Sequence, residues 1–487
     1  MTEASEPAAG TSAAVKRFGF IAGLVALGVT WVLPAPEGMP QTAWATAGVA
    51  LLMAFWWATE ALPVAATSLI PIIFFPLLGV TDIRGATHPY ASPLIYLFMG
   101  GFVIALAMER WNLHRRIALA IISGIGAEPH RLVLGFMLAT ALLSMWISNT
   151  ATTMMMLPIG ASVAGIILAE GADTARRNFA TALMLGIAYA ASVGGVGTLI
   201  GTPTNLAMAN ILAGPEFGIE IDFARWLLVG LPFVAIMLPL VWLVLTRFVY
   251  TFDLGASDAA TAQVAHDRKE MGRITVPEQR VAILAGIVAL LWVSRRVLTE
   301  YIPGLSDAGI AMAGALLLFI LPAGGGNRGA VMNWETAVKL PWGLILLFGG
   351  GLSLAEAMGA SGLAGWISTN LEGLGTLPFV ALIAIIVVVI VFLTELTSNA
   401  ATVSAFVPVI AALAVGIGLD PVILAAPVAI AASCAFMLPV ATPPNAVVFG
   451  SGYITIPQMV RAGIWLNMLS VVIVTTVSAI LIPLVFG

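Results

Sequence analysis

The sequence predicts an all-α polytopic membrane protein: about eleven transmembrane helices plus two re-entrant hairpins, arranged as two inverted repeats. Three observations lead there. First, 60% of the 487 residues are hydrophobic and only 9% are charged, with a mean hydropathy of +1.04; a soluble domain carries about 25% charge. Second, most of the length consists of apolar runs, and a helix needs roughly 20 apolar residues to cross a bilayer. Third, polar marks inside those runs occur twice. Ser148-Asn149-Thr150 is answered by Ser398-Asn399-Ala400, with the asparagines 399 − 149 = 250 positions apart.

The duplication reaches well beyond the triplets. At the same offset Pro158 pairs with Pro408, Leu97-Phe98-Met99-Gly100-Gly101 with Leu347-Phe348-Gly349-Gly350-Gly351, and Ala107-Met108 with Ala357-Met358. Thr202-Pro203-Thr204-Asn205 pairs with Thr442-Pro443-Pro444-Asn445 at 445 − 205 = 240, so one copy has gained or lost 250 − 240 = 10 residues.

Residues 1–17 form a small, polar tail expected to be disordered. The apolar run after Lys16-Arg17 is long enough to span and lacks a clean small-residue cleavage site, which argues against a cleaved signal. Spans are expected at 18–34, 41–61 and 63–81, with Pro63 able to break the helix between the last two. The first repeat, 93–252, holds a span at 93–113, an interrupted run at 131–168, a Gly- and Pro-broken run at 178–213 and a span at 223–250. Residues 253–280 are the long charged stretch and read as a solvated connector. Spans at 281–299 and 305–322, then the Gly-rich loop Gly324-Gly325-Gly326-Asn327, fill 281–341. The second repeat, 342–487, holds 342–367, an interrupted run at 376–415, a broken run at 421–451 and a last span at 457–485.

Charge placement decides how the interrupted runs are threaded. With a cytoplasmic N-terminus, and each interrupted run entering and leaving by one side, 16 of the 20 basic residues fall inside. Arg84, Arg225, Arg295 and Arg296 fall outside, in keeping with the positive-inside rule. The span at 93 then runs inward and its copy at 342 runs outward. Inverted repeats of this kind mark many secondary transporters.

Bare backbone at membrane depth is tolerated only where it is buried in protein or lines a cavity. A Ser-Asn-Thr turn there supplies hydroxyls, an amide and free backbone groups. Helix N-termini suit an anion, while carbonyl, hydroxyl and amide oxygens suit a hard cation such as sodium. A single triplet could be no more than a helix cap or an interhelical contact; two in register, with a matching TPxN pair, point to one central site. Glu395, four residues before Asn399, is either an ion or substrate residue or a brace for the hairpin. Cys434 reads as a small buried side chain, the four histidines lack metal-ligand spacing, and Gly195-Val196-Gly197 completes no dinucleotide fingerprint. No His, Cys or carboxylate pair has catalytic spacing, so no enzyme is expected. A net charge of −4 gives no reason to expect a nucleic-acid partner.

At these residues the chain resembles the divalent anion–sodium symporter (DASS) family, carriers of dicarboxylates, citrate and sulfate. The resemblance rests on Ser148-Asn149-Thr150, Thr394-Glu395-Leu396-Thr397-Ser398-Asn399, Gly201-Thr202-Pro203 and Ala441-Thr442-Pro443-Pro444-Asn445. It implies an elevator-type carrier in the plasma (inner) membrane, with scaffold helices within 18–92 and 281–341 making a homodimer contact. It also implies a first sodium site at Ser144, Ser148, Asn149 and Gly201, and a second at Thr394, Thr397, Asn399 and Ala441. Substrate carboxylates would meet Asn149, Thr150, Thr202, Ser398, Asn399, Ala400, Thr442 and Pro443. The family usually ends both triplets in Thr, so Ala400 removes one hydroxyl. The implied function is sodium-coupled symport of a C4-dicarboxylate or similar divalent organic anion, with sodium as coupling ion and no other cofactor. Sodium-independent exchange, carriage of sulfate or another small divalent anion, and an anion channel are the alternatives.

Overall fold

The computed structural model describes residues 13–126, 128–171 and 173–487; residues 1–12 of the expected tail lie outside them. Among the described residues the regular structure is helical, apart from a two-stranded hairpin pairing Pro322–Gly324 with Asn327–Ala330. Among the described residues ten helices are long and apolar enough to cross a membrane, and shorter apolar helices accompany them.

Several boundaries differ from the sequence reading, and the following differences have local causes. The first helix runs Ala13–Val32, starting inside the expected tail, because Ala13-Ala14 are strong helix formers that extend the apolar run. The third span is short and split into Val64–Thr67 and Ile70–Leu77, beginning directly after Pro63. The charged connector contains a helix, Asp258–Glu270, whose N-cap Ser257 accepts from the amide of Ala260. The following span starts earlier than expected, at Val276, where Thr275 and Glu278 form a reciprocal capping box. The Gly-rich loop is the turn of the β-hairpin; Gly324, Gly325 and Gly326 all take positive φ there.

Both interrupted runs are helix–turn–helix units: Pro129–Ser144 with Asn149–Ala169, and Phe379–Leu393 with Asn399–Gly416. Both broken runs are two helices in line of sequence: Thr174–Gly195 with Pro203–Leu212, and Pro421–Ala432 with Pro443–Phe449. Both arms of each hairpin pack on the first half of the broken helix of their own repeat. The second arms also cross over: Asn149–Ala169 packs on Pro443–Phe449, and Asn399–Gly416 packs on Pro203–Leu212. The two repeats therefore interlock at their polar marks.

The repeated Gly-Gly pairs explain how the surrounding helices come so close. In Pro93–Arg110, a methyl on Gly100 would strike the backbone of Ala311 in Asp307–Ile320. Its counterpart Gly350, in Trp342–Ala360, would strike the backbone of Ser68. Only a residue without Cβ allows those contacts.

Candidate ion and anion site

The turn of the first hairpin is built by its own side chains. Ser148 occupies the N-cap of Asn149–Ala169, and its hydroxyl accepts from the amide of Ala151 at 3.2 Å. Below it, the buried Ser144 hydroxyl lies 2.6 Å from the Asn149 side-chain amide and 2.7 Å from the carbonyl of Ala191. With the amide nitrogen turned inward, Asn149 donates to Ser144 Oγ at 2.6 Å and to the carbonyls of Gly201 and Ala191, each at 3.2 Å. With the oxygen inward, four oxygens converge and only acceptors face Asn149 Oδ1 apart from the one Ser144 proton. That oxygen-only set is what a hard cation takes. Gly195 and Gly201 leave the room: a methyl on Gly195 would collide with the Asn149 amide, and one on Gly201 with the carbonyl of Gly195.

The second hairpin repeats the arrangement. Thr394 Oγ1 lies 2.7 Å from Asn399 Oδ1 and 3.1 Å from the carbonyl of Ala432. Thr397 Oγ1 sits 2.6 Å from Thr402 Oγ1 and donates to the carbonyl of Leu393 at 3.1 Å. Ser398 takes the N-cap position without a side-chain cap. Ser144 and Thr394 are buried, whereas Ser148, Asn149, Thr150, Thr397, Ser398 and Asn399 are half-buried. The deeper hydroxyls are thus enclosed and the tips reachable.

The broken helices meet these tips through their unwound loops. Thr202 and Thr442 are extended N-caps, and Pro203 and Pro443 fill the first helical position, where a missing N–H costs nothing. Three positions on, Asn205 donates to the carbonyls of Val196 (3.2 Å) and Thr198 (2.8 Å). Asn445 does the same to Ala435 (3.1 Å) and Leu438 (3.0 Å). Each loop also rests on a glycine of the span that follows: a methyl on Gly230 would strike the carbonyls of Val196 and Gly197, and one on Gly463 the carbonyl of Phe436. Thr202 and Thr442 are buried beside these loops, Ala441 is buried and Pro443 is exposed. Ala400 is 6% exposed within an apolar cluster, so it presents a methyl where Thr150 presents a hydroxyl.

Ser144, Asn149 and Gly201 are therefore brought together, and so are Thr394 and Asn399. Glu395 turns out to be a brace: its carboxylate accepts from the amides of Phe436, Met437 and Leu438 and from Asn467. The two TPxN asparagines were visible as a repeated motif, yet their work as loop braces follows only from the fold. The contact of Thr204 with Ser433, 2.8 Å between hydroxyls, joins the two repeats and left no trace in the sequence pattern.

Comparison with known proteins settles the family. The description "Sodium:sulfate symporter transmembrane region" matches residues 14–486. The chain belongs to this family. Its members are transporters, not enzymes, and the DASS resemblance read from the motifs is the same grouping. Among relatives of the family, the "Sodium-dependent dicarboxylate transporter SdcS" of Staphylococcus aureus (strain USA300) is 41% identical over 480 residues, covering 96% of this chain and 92% of its own. Two solved transporters share the fold at 14% identity. The Alcanivorax borkumensis YdaH transporter gives a TM-score of 0.57, covering 97% of this chain and 99% of that one. Neisseria gonorrhoeae MtrF gives 0.59, covering 96% and 94%.

Proposed function

We propose that the protein is a sodium-coupled symporter of a C4-dicarboxylate or similar divalent organic anion. The observation that carries this reading is the pair of matched oxygen clusters, Ser144–Asn149–Ala191–Gly201 and Thr394–Asn399–Ala432, one at each hairpin turn. Ser148 completes the first sodium site, and Thr397 and Ala441 the second. Neither motif contains Lys, Arg or His, so an anion there is held by amides, hydroxyls, helix N-termini and the bound cations. Asn149, Thr150, Thr202, Ser398, Asn399, Thr442 and Pro443 supply that surface, with Ala400 closing one side by its methyl.

Sodium binds first, orders both turns and offsets the cost of placing a dianion away from water. Substrate then bridges the turns, and the hairpins and broken helices cross the membrane as one body against the scaffold within 18–92 and 281–341. A dimer formed through that scaffold, in the plasma (inner) membrane with a cytoplasmic N-terminus, completes the reading. The ion pairs support the threading: Arg225, Arg295 and Arg296, three of the four arginines assigned to one side, meet in one cluster with Asp222 and Asp307.

The test is flux into proteoliposomes with succinate, malate, citrate, tartrate or sulfate, each with and without a sodium gradient. Sodium-driven accumulation of succinate or malate is expected. Uptake unchanged by potassium or choline in place of sodium would remove the cation part, and uptake only into preloaded vesicles would identify an exchanger.

A further inference from the structure

The loops of the two broken helices are held open by unequal means. In the first, the helix stays wound to Gly195 and the turn closes on itself: the amide of Val196 donates to Val193 at 3.2 Å and that of Gly197 to Gly194 at 2.9 Å. At the 240-residue offset the second helix should end at 435; it ends at Ala432, 435 − 432 = 3 residues sooner. There the amides of Phe436, Met437 and Leu438 go to the Glu395 carboxylate, at 2.7, 2.9 and 3.1 Å. Asn467, from the last helix, Ile456–Phe486, adds a fourth donor at 2.7 Å. Glu395 is 4% exposed. Four donors and no acceptor surround its two oxygens, the set that an ionised carboxylate takes.

The first repeat has no such group. The counterpart of Glu395 at 395 − 250 = 145 is Met145, whose side chain lies beside Gly197 and whose carbonyl accepts from Thr198 Oγ1 at 2.5 Å.

Resting on the reading of Thr394 and Asn399 as sodium ligands, we infer that Glu395 is a positioning residue that makes the second cation site the tighter of the two and the first to fill. It acts in two ways. With three amides tied to a side chain, the loop cannot rewind into helix, and the stretch leading to Ala441 and Thr442 stays in place. When ionised, as its four donors favour, Glu395 also places a negative charge next to Thr394 in the chain, lowering the electrostatic cost of a cation there, whereas Met145 brings no charge to the first site.

The test compares full-length wild type with Glu395→Gln, which keeps the shape and removes the charge. Sodium titration of intrinsic tryptophan fluorescence, without substrate, reads cation binding directly. Wild type is expected to show a tight and a weak sodium step, and E395Q to lose the tight one. The sodium concentration for half-maximal succinate uptake should rise about tenfold or more, while KM for succinate at saturating sodium stays within about threefold. An unchanged tight step, or equal weakening of both, overturns the inference. No sodium response in wild type overturns the sodium-coupled reading, and this inference with it. If E395Q is not monodisperse, Asn467→Ala removes one donor of the four; a shift of the tight step by about threefold supports the inference, and no shift overturns it.

Discussion

Thr204 Oγ1 stands 2.8 Å from Ser433 Oγ and links the start of one broken helix's second half to the end of the other's first half. Both hydroxyls are buried, and Thr204 also reaches Thr202 Oγ1 at 3.2 Å. The contact therefore couples the two repeats directly behind the proposed anion surface.

Breaking that link should loosen both repeats together. Thr204→Val and Ser433→Ala are each expected to cost about 1 kcal/mol, and the double variant less than their sum, because they share one hydrogen bond. Thermal unfolding of the purified variants in detergent measures this. Strict additivity would show that the two hydroxyls do not interact.

The deep hydroxyls should govern sodium rather than substrate. Ser144→Ala and Thr394→Ala each remove one oxygen from a cluster that also holds a backbone carbonyl, Ala191 or Ala432. Each is expected to raise the sodium concentration for half-maximal uptake by about tenfold, with a smaller change in substrate KM. Initial rates over a sodium series decide it, and a change confined to KM would reassign these residues to the substrate.

Asn205 and Asn445 are braces with matched roles, so their loss should be equivalent. Asn205→Leu and Asn445→Leu each remove two hydrogen bonds to loop carbonyls, at a cost of about 1–3 kcal/mol per variant in stability. Uptake should fall to background in both. Retained transport by either variant would show that its loop keeps its shape unaided.

The glycine approaches predict a steric effect away from the site. Gly100→Ala and Gly350→Ala place a methyl against the backbones of Ala311 and Ser68 and should destabilise by about 1–3 kcal/mol. Yield of folded protein and the unfolding midpoint report it. Gly286→Ala, where a methyl meets nothing within 4 Å, serves as the control.

Much of this architecture is legible in the chain because hydrocarbon permits few solutions. A backbone with no water to bond must be helical, so run lengths translate into spans. An Asn-bearing triplet and a TPxN motif inside such runs must mark places where the helix stops, and their recurrence at 250 and 240 residues locates both turns and both breaks. The short early start at Ala13 and the capping box at Thr275 were harder to place, since they depend on local hydrogen bonds rather than on hydropathy.

Which oxygens meet which was decided only when the chain closed up. Nothing about spacing ties Ser144 to the carbonyl of Ala191, Glu395 to the amides of Phe436–Leu438, or Thr204 to Ser433. These partners lie 41 to 229 residues apart in the chain. The first two come together because each hairpin packs on the broken helix of its own repeat, and the third because Pro203–Leu212 packs on Pro421–Ala432. Periodicity records which face of a helix is apolar; it carries no record of the neighbour to which that face is applied, and the proposed ion and anion site is built from those pairings.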